Sequence, residues 1–137
     1  MGGLQEFPLK LLLDTHALLW WWVDDPQLGA TARRVIQSAD HEVWVSAASA
    51  WEVATKQRLG KLPGLPADLC ANWSMLLQAD GFLSLDITTD HALRAGQLNG
   101  EHRDPFDRML AAQAQAEQAT LVSSDAALKS LGCELIW

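Results

Sequence analysis

At 137 residues the chain has room for one domain with a substantial core, spanning residues 1–137, and no second domain is expected. Lys plus Arg number 10 against 17 Asp plus Glu, a net charge of −7, which excludes a general polyanion binder with a basic face. A metal-centred site acting on a polyanion stays compatible with that balance, because a bound cation reverses the sign locally. Cys70 and Cys133 form no CxxC pair, so both are expected to be reduced, small core residues of a cytoplasmic chain. The longest apolar stretch, Ala17 to Val23, is too short to span a bilayer, and Glu6 stands where a myristoylation signal wants Ser or Thr. No membrane partner is expected.

In chain order, residues 9–14 read as a buried strand, a short continuous apolar run. Thr15 is expected to cap a helix over Ala17 to Asp24, which Pro26 stops. Leu28 to Ala39 carries Leu28, Ala32, Val35 and Ile36 on one helical stripe. Val43 to Ser46 reads as a strand, and Ser46 or Ser49 opens a helix through Arg58 that Gly60 ends. Pro66 to Asp80 reads as a helix with Leu69, Trp73, Leu76 and Leu77 on one face, and Phe82 to Ile87 as a strand. Thr88 or Thr89 caps a helix to about Leu98, and Asn99 to Arg103 is a polar loop. Asp104 caps the next helix, with Pro105 at its first position and its end near Ala119. Thr120 to Ser123 is a strand, Asp125 to Leu131 a short helix and Glu134 to Ile136 a last strand. Alternating strands and helices predict an α/β fold, a three-layer α/β/α sandwich around a mostly parallel sheet.

Ligands of such sheets bind outside the carboxyl ends of the strands. Asp14 and Asp125 lie at two such ends, and Glu52 and Asp107 near two helix starts. Four carboxylates converging there oppose one another's ionisation unless a hard cation joins them. Each also has a plainer role open to it. Asp14 and Asp125 can cap helices, Glu52 can pair with Lys56 one turn on, and Asp107 suits the first turn of a helix. Asp104 already serves as a cap, which leaves Asp107 for a cation and Asp104 as cap or outer partner. Ser123 reads equally as a cap hydroxyl or as a donor to a carboxylate or phosphate. His16 reads as a packing residue at a helix start, while His41, His91 and His102 show no catalytic spacing. No nucleophile elbow and no phosphate-cradling glycine loop is present.

Four stretches together resemble the PIN-domain family, and within it the VapC-type toxins of prokaryotic toxin–antitoxin pairs. They are Leu11 to Trp20, with Asp14; Ser46 to Lys56, with Glu52; His102 to Ala114, with Asp104, Asp107 and Arg108; and Leu121 to Asp125, where Ser123 stands in place of the Thr of many relatives. The resemblance implies an endoribonuclease dependent on Mg²⁺ or Mn²⁺, a homodimer, and inhibition by a small cognate antitoxin. It places the acidic site on Asp14, Glu52, Asp107 and Asp125, with Asp14 and Asp107 as the direct ligands. RNA contacts are open to Lys56, Arg58, Lys61, Arg103 and Arg108, whose plainer reading is a set of solvated helix ends. Trp20, Trp21 and Trp22 point about 100° apart on a helix, so one reaches a dimer or antitoxin surface or the helix is buried on most sides. Trp44, Trp51 and Trp73 are expected in the core. A catalytically inert PIN-fold interaction module is the alternative. A phosphoacceptor domain is disfavoured, because no lysine ends the late strand at Ser123-Ser124-Asp125.

Overall fold

The computed structural model describes residues 8–137, so the reading of Met1 to Glu6 lies outside the described residues. Among the described residues five strands form one wholly parallel sheet: β1 (Lys10–Leu13), β2 (Glu42–Ser46), β3 (Leu83–Leu85), β4 (Thr120–Val122) and β5 (Leu135–Ile136), in the order β3-β2-β1-β4-β5. Between them run α1 (Thr15–Trp22), α2 (Ala30–Gln37), α3 (Ala47–Arg58), α4 (Trp73–Asp80), α5 (Thr89–Gln97) and α6 (Pro105–Ala116), with a 3₁₀ helix over Ala126–Leu131.

β1 is apolar throughout Leu11–Leu13 because both of its faces are covered. Leu11 and Leu13 pack with Ala17 and Leu18 of α1, Ala32 and Ile36 of α2 and Leu77 of α4. Leu12 packs on the other face with Ala48 of α3, Leu110, Ala111 and Ala114 of α6, and Leu128. The three layers are therefore those expected. From β1 the chain steps outward through β2 to β3. It then crosses back through α5 and α6 to lay β4 and β5 on β1's other side. The carboxyl end of β1, where the two directions part, is the switch point at which sheets of this kind bind ligands.

Several boundaries differ from the sequence reading. Asp14, not Thr15, caps α1: its Oδ1 accepts from the Ala17 amide at 2.7 Å. The helix expected from Pro66 begins only at Trp73. Successive turns, with the Leu69 amide donating to Pro66 O and the Asn72 amide to Asp68 O, instead drive Leu62, Leu65 and Leu69 onto Leu19 and Val53. Leu69 takes the inward position there, which leaves Cys70 exposed, while Cys133 is half-buried, so neither cysteine is a core residue. Trp51 is 61% exposed rather than core. The inward face of α3 is formed by Ala48, Ser49, Glu52 and Val53, and Trp51 points away from it to meet Phe106 edge-on at 4.8 Å. Trp44 and Trp73 are half-buried. Trp20, Trp21 and Trp22 are each half-buried on a separate partner, respectively Trp137, Phe82 and Trp73. Among the described residues no helix is long and apolar enough to cross a membrane.

Helix α6 is bolted to the sheet by a buried polar chain. Ser46 Oγ caps α3 by accepting from the Ala48 amide and donates to Gln113 Oε1 at 2.5 Å. Gln113 Nε2 donates to Asp86 O at 3.3 Å. His91 Nδ1 accepts from the Thr88 amide at 3.1 Å, so Nε2 carries the hydrogen and donates to Glu117 at 3.0 Å. That bond, helped by Lys10, holds the Glu117 carboxyl below the usual carboxylate range. Gln113 is fully buried, so Gln113→Leu strands the Ser46 hydroxyl and the Asp86 carbonyl. We expect it to lower unfolding free energy by about 1–3 kcal/mol, measured by urea denaturation, whereas exposed Gln78→Ala leaves the midpoint nearly unchanged.

Candidate metal centre and active site

Asp14 is fixed at the end of β1 by its amide, which donates to Val122 O of β4 at 3.0 Å. Its carboxylate is buried, at 7% exposure. Burial pushes that carboxyl above its ordinary value. Hydrogen bonds from the Ser123 hydroxyl and the Ala17 amide, and the nearby His16, draw it back, while the charge of Asp107 pushes it up again. Ser123 thus serves both roles open to it: its Oγ accepts from the Asp125 amide at 3.0 Å and its hydrogen goes to Asp14. His16 is exposed and stacks on Trp20 at 5.4 Å, the packing role expected.

Glu52 enters from α3. The small residues Ala48 and Ser49 let that helix approach closely, and Glu52 is 5% exposed. The Thr15 hydroxyl donates to Glu52 Oε1 at 2.6 Å, and Ser49 Oγ lies 3.0 Å from Thr15 Oγ1. Since Thr15 has a single O–H, Ser49 donates to it and the two hydroxyls form a relay toward the carboxylate. Lys56 grips Glu52 Oε2 at 2.5 Å. The helix pairing weighed for Glu52 is therefore real, and it holds the carboxylate at the site rather than diverting it.

Asp107 lies in the first turn of α6. That helix begins at Asp104, whose Oδ1 accepts from the amides of Phe106 at 2.9 Å and Asp107 at 3.3 Å. Burial pushes the Asp107 carboxyl up. A hydrogen bond from His102 draws it down, and the charges of Asp104 and Glu52 add to the rise. Asp107 is the hub, coupled by charge to both Asp14 and Glu52. Asp125 joins from the far side: His102, Asp107 and Asp125 each present a ligand atom within 4.8 Å of one another. Asp125 is exposed and caps the 3₁₀ helix with Oδ1 on the Ala127 amide, which leaves its second oxygen available.

Among the described residues, His102, Asp107 and Asp125 bring donor atoms within 4.8 Å of one another, while Asp14 and Glu52 stand outside that group and are linked to Asp107 by charge. Hard oxygen donors that raise one another's protonation are a donor set that a divalent cation fits. Two participants escaped the sequence reading. Thr15 directs Glu52, and its only signal is its place directly after Asp14. His102, dismissed for lack of spacing, places Nε2 2.9 Å from Asp107 Oδ2. Arg58, Lys61 and Arg103 are exposed. The Arg108 guanidinium is taken up by the carbonyls of Ala95, Leu98 and His102.

A family model described as the PIN domain matches residues 11–132. No curated protein matches the chain. Among solved structures, VapBC-1 of nontypeable Haemophilus influenzae is 16% identical with a TM-score of 0.67, covering 93% of this chain and 97% of that one. VapC20 of Mycobacterium tuberculosis, described as a sarcin-ricin loop cleaving toxin, is 14% identical with a TM-score of 0.64, covering 90% and 95%. VapBC2 of Rickettsia felis, bound to a DNA fragment from its promoter, is 17% identical with a TM-score of 0.62, covering 93% and 98%. At such identities the likeness is one of fold.

The burial of Asp14 has a measurable sign. Asp14 binds its proton more tightly in the folded chain than in the unfolded one, where the ordinary value of 3.8 applies. As pH rises from that value through the raised one, the unfolded state ionises first and the fold loses stability. Metal-free Asp14→Asn, which keeps a helix-capping oxygen, is therefore expected to melt higher than the parent at neutral pH. The gap should close toward the acid side and reverse on adding Mn²⁺. Thermal melts across pH, with and without the ion, check this.

Proposed function

We propose, for a chain that belongs to the PIN domain family, that it is a nuclease hydrolysing RNA phosphodiesters with Mg²⁺ or Mn²⁺, and that it is the toxin of a toxin–antitoxin pair. The observation that carries this reading is the acidic group around Asp107, with Asp125 beside it and Asp14 and Glu52 coupled to it by charge, those three others each held by hydrogen bonds from their own scaffold. When bound, the divalent ion acidifies water and polarises phosphoryl oxygens. Asp14 and Asp107 are its direct holders, with Glu52 and Asp125 completing the acidic shell and Asp104 outside it.

The chain's own residues do the positioning. The Ala17 amide fixes one Asp14 oxygen, and Thr15 and Lys56 fix the two oxygens of Glu52. The carboxylates therefore reach the loaded geometry without rearranging, which is the preorganisation that electrostatic catalysis needs. Arg103, in the loop that carries His102, is exposed and suited to RNA phosphate, and Arg58 and Lys61 are exposed at the far end of α3. An apolar groove of about 210 Å³ between Trp51, Ile87, Phe106 and Met109 lies beside α6's first turn. Such a surface next to an acidic site supports a protein partner that covers both, here a cognate antitoxin, and a homodimer as the working unit.

Purified protein is expected to cleave RNA from a mixed pool with Mg²⁺ or Mn²⁺ and not with EDTA. Asp14→Asn and Asp107→Asn should each slow cleavage by roughly a hundredfold or more, the loss of about 3 kcal/mol at the transition state. Full cleavage by both variants would sink the nuclease assignment. Metal binding without any cleavage would favour the inert interaction module.

A further inference from the structure

His102 is held beside Asp107 by a loop that Arg108 fixes in place. Arg108 donates through Nη1 to His102 O at 3.0 Å, through Nη2 to Leu98 O at 2.5 Å and through Nε to Ala95 O at 3.1 Å. One guanidinium thereby ties the end of α5 and the following loop to α6, one residue after Asp107. The loop position is set by backbone contacts, and the imidazole itself is left to face Asp107, 20% exposed. Its Nε2 stands 2.9 Å from Asp107 Oδ2.

That separation is a hydrogen-bond distance, and it also lets both atoms reach one ion, since two cis donors at about 2.1 Å from an ion lie about 3.0 Å apart. Asp125 stands beside them, all three donor atoms lying within 4.8 Å of one another. An imidazole nitrogen changes what such a group prefers. Mg²⁺ is hard, strongly hydrated and served by oxygen, whereas nitrogen donors favour first-row transition ions.

Resting on the nuclease reading above, we infer that His102 Nε2 is a direct nitrogen ligand of the divalent cation, alongside Asp107 and Asp125, and that it makes this site rank Mn²⁺ above Mg²⁺. In the metal-free chain Nε2 carries the hydrogen that it donates to Asp107, so ligation would require that hydrogen to leave for solvent, with Nδ1 keeping or taking up one, while the loop that Arg108 pins stays in place.

The probe is Mn²⁺ alone. Full-length protein loaded with Mn²⁺ is expected to show nitrogen hyperfine coupling by pulsed electron paramagnetic resonance, and His102→Gln to lose it. His102→Gln should weaken Mn²⁺ binding by on the order of tenfold while changing Mg²⁺ binding, read by competition, less than about twofold. His102→Ala gives the same pattern if the glutamine amide itself ligates through oxygen. The inference is overturned if Asp107-dependent Mn²⁺ binding gives no nitrogen coupling, if the coupling survives in both variants, or if both metals weaken equally. Each of those results leaves the oxygen-ligand reading of the site standing. Failure of the parent protein to bind Mn²⁺ at all overturns both together.

Discussion

Carboxylates are buried at one edge of a parallel sheet, and that burial, with their mutual repulsion added to it, is the constraint on which the edge depends. Asp14 has little freedom to escape it. β1 hydrogen-bonds to β2 and β4 on its two sides, its side chains are sealed above and below, and its last amide is committed to Val122. Moving Asp14 away would mean opening the centre of the sheet. The other acids arrive on elements that are nearly as constrained. Asp107 comes on a helix fixed through Gln113 to the cap of α3, and Glu52 comes on that same α3. Burial raises both Asp14 and Asp107 further. The metal-free fold therefore carries an unfavourable term at its most rigid point, which a cation would relieve.

Helix caps and site ligands are the same residues here. Asp14 and Asp125 each give one oxygen to an amide at a helix start and keep the other. Capping orients a carboxylate along a helix axis and close to the end of a strand, and that is also where sheets of this kind bind ligands. The competition between cap and ligand that the sequence presents is thus resolved by geometry, since a carboxylate has two oxygens. Asp104 differs because Oδ1 serves two amides and the residue lies one turn further from β1, so it acts on Asp107 through charge.

The alternating strands and helices and the three-layer fold were legible because they rest on local signals: an apolar run before an acid, a Pro after a capping Asp, alternating periods. The start of α4 was not, because an apolar stripe of Leu69, Trp73 and Leu77 fits a helix equally well until turns at Pro66 and Asp68 are seen to deliver Leu62, Leu65 and Leu69 to a separate cluster. Trp51 misled through its size. Hydrophobic surface predicts burial only where a helix face has somewhere to put it, and α3's inner face needs small residues so that Glu52 can reach Thr15 at the end of β1. Arg108 and His102 were misjudged together. Sequence places a cation beside Asp107 and a histidine with no partner in register, whereas the loop geometry turns the first toward carbonyls and the second toward the carboxylate.

The chain's acidity bears on how it would meet RNA. A net charge of −7 repels a polyanion at long range, and the cations nearest the site are few. Two of them are internally engaged, Lys56 by Glu52 and Arg108 by the 95–102 backbone. On the nuclease reading, attraction would have to be local, arising from a bound ion and from exposed Arg103 beside His102. Such a surface gains little from nonspecific phosphate contacts, whose contribution grows with the number of charges neutralised. On the same reading, discrimination among RNAs would fall to the shape of the substrate and to whether a phosphate can be brought to the switch point.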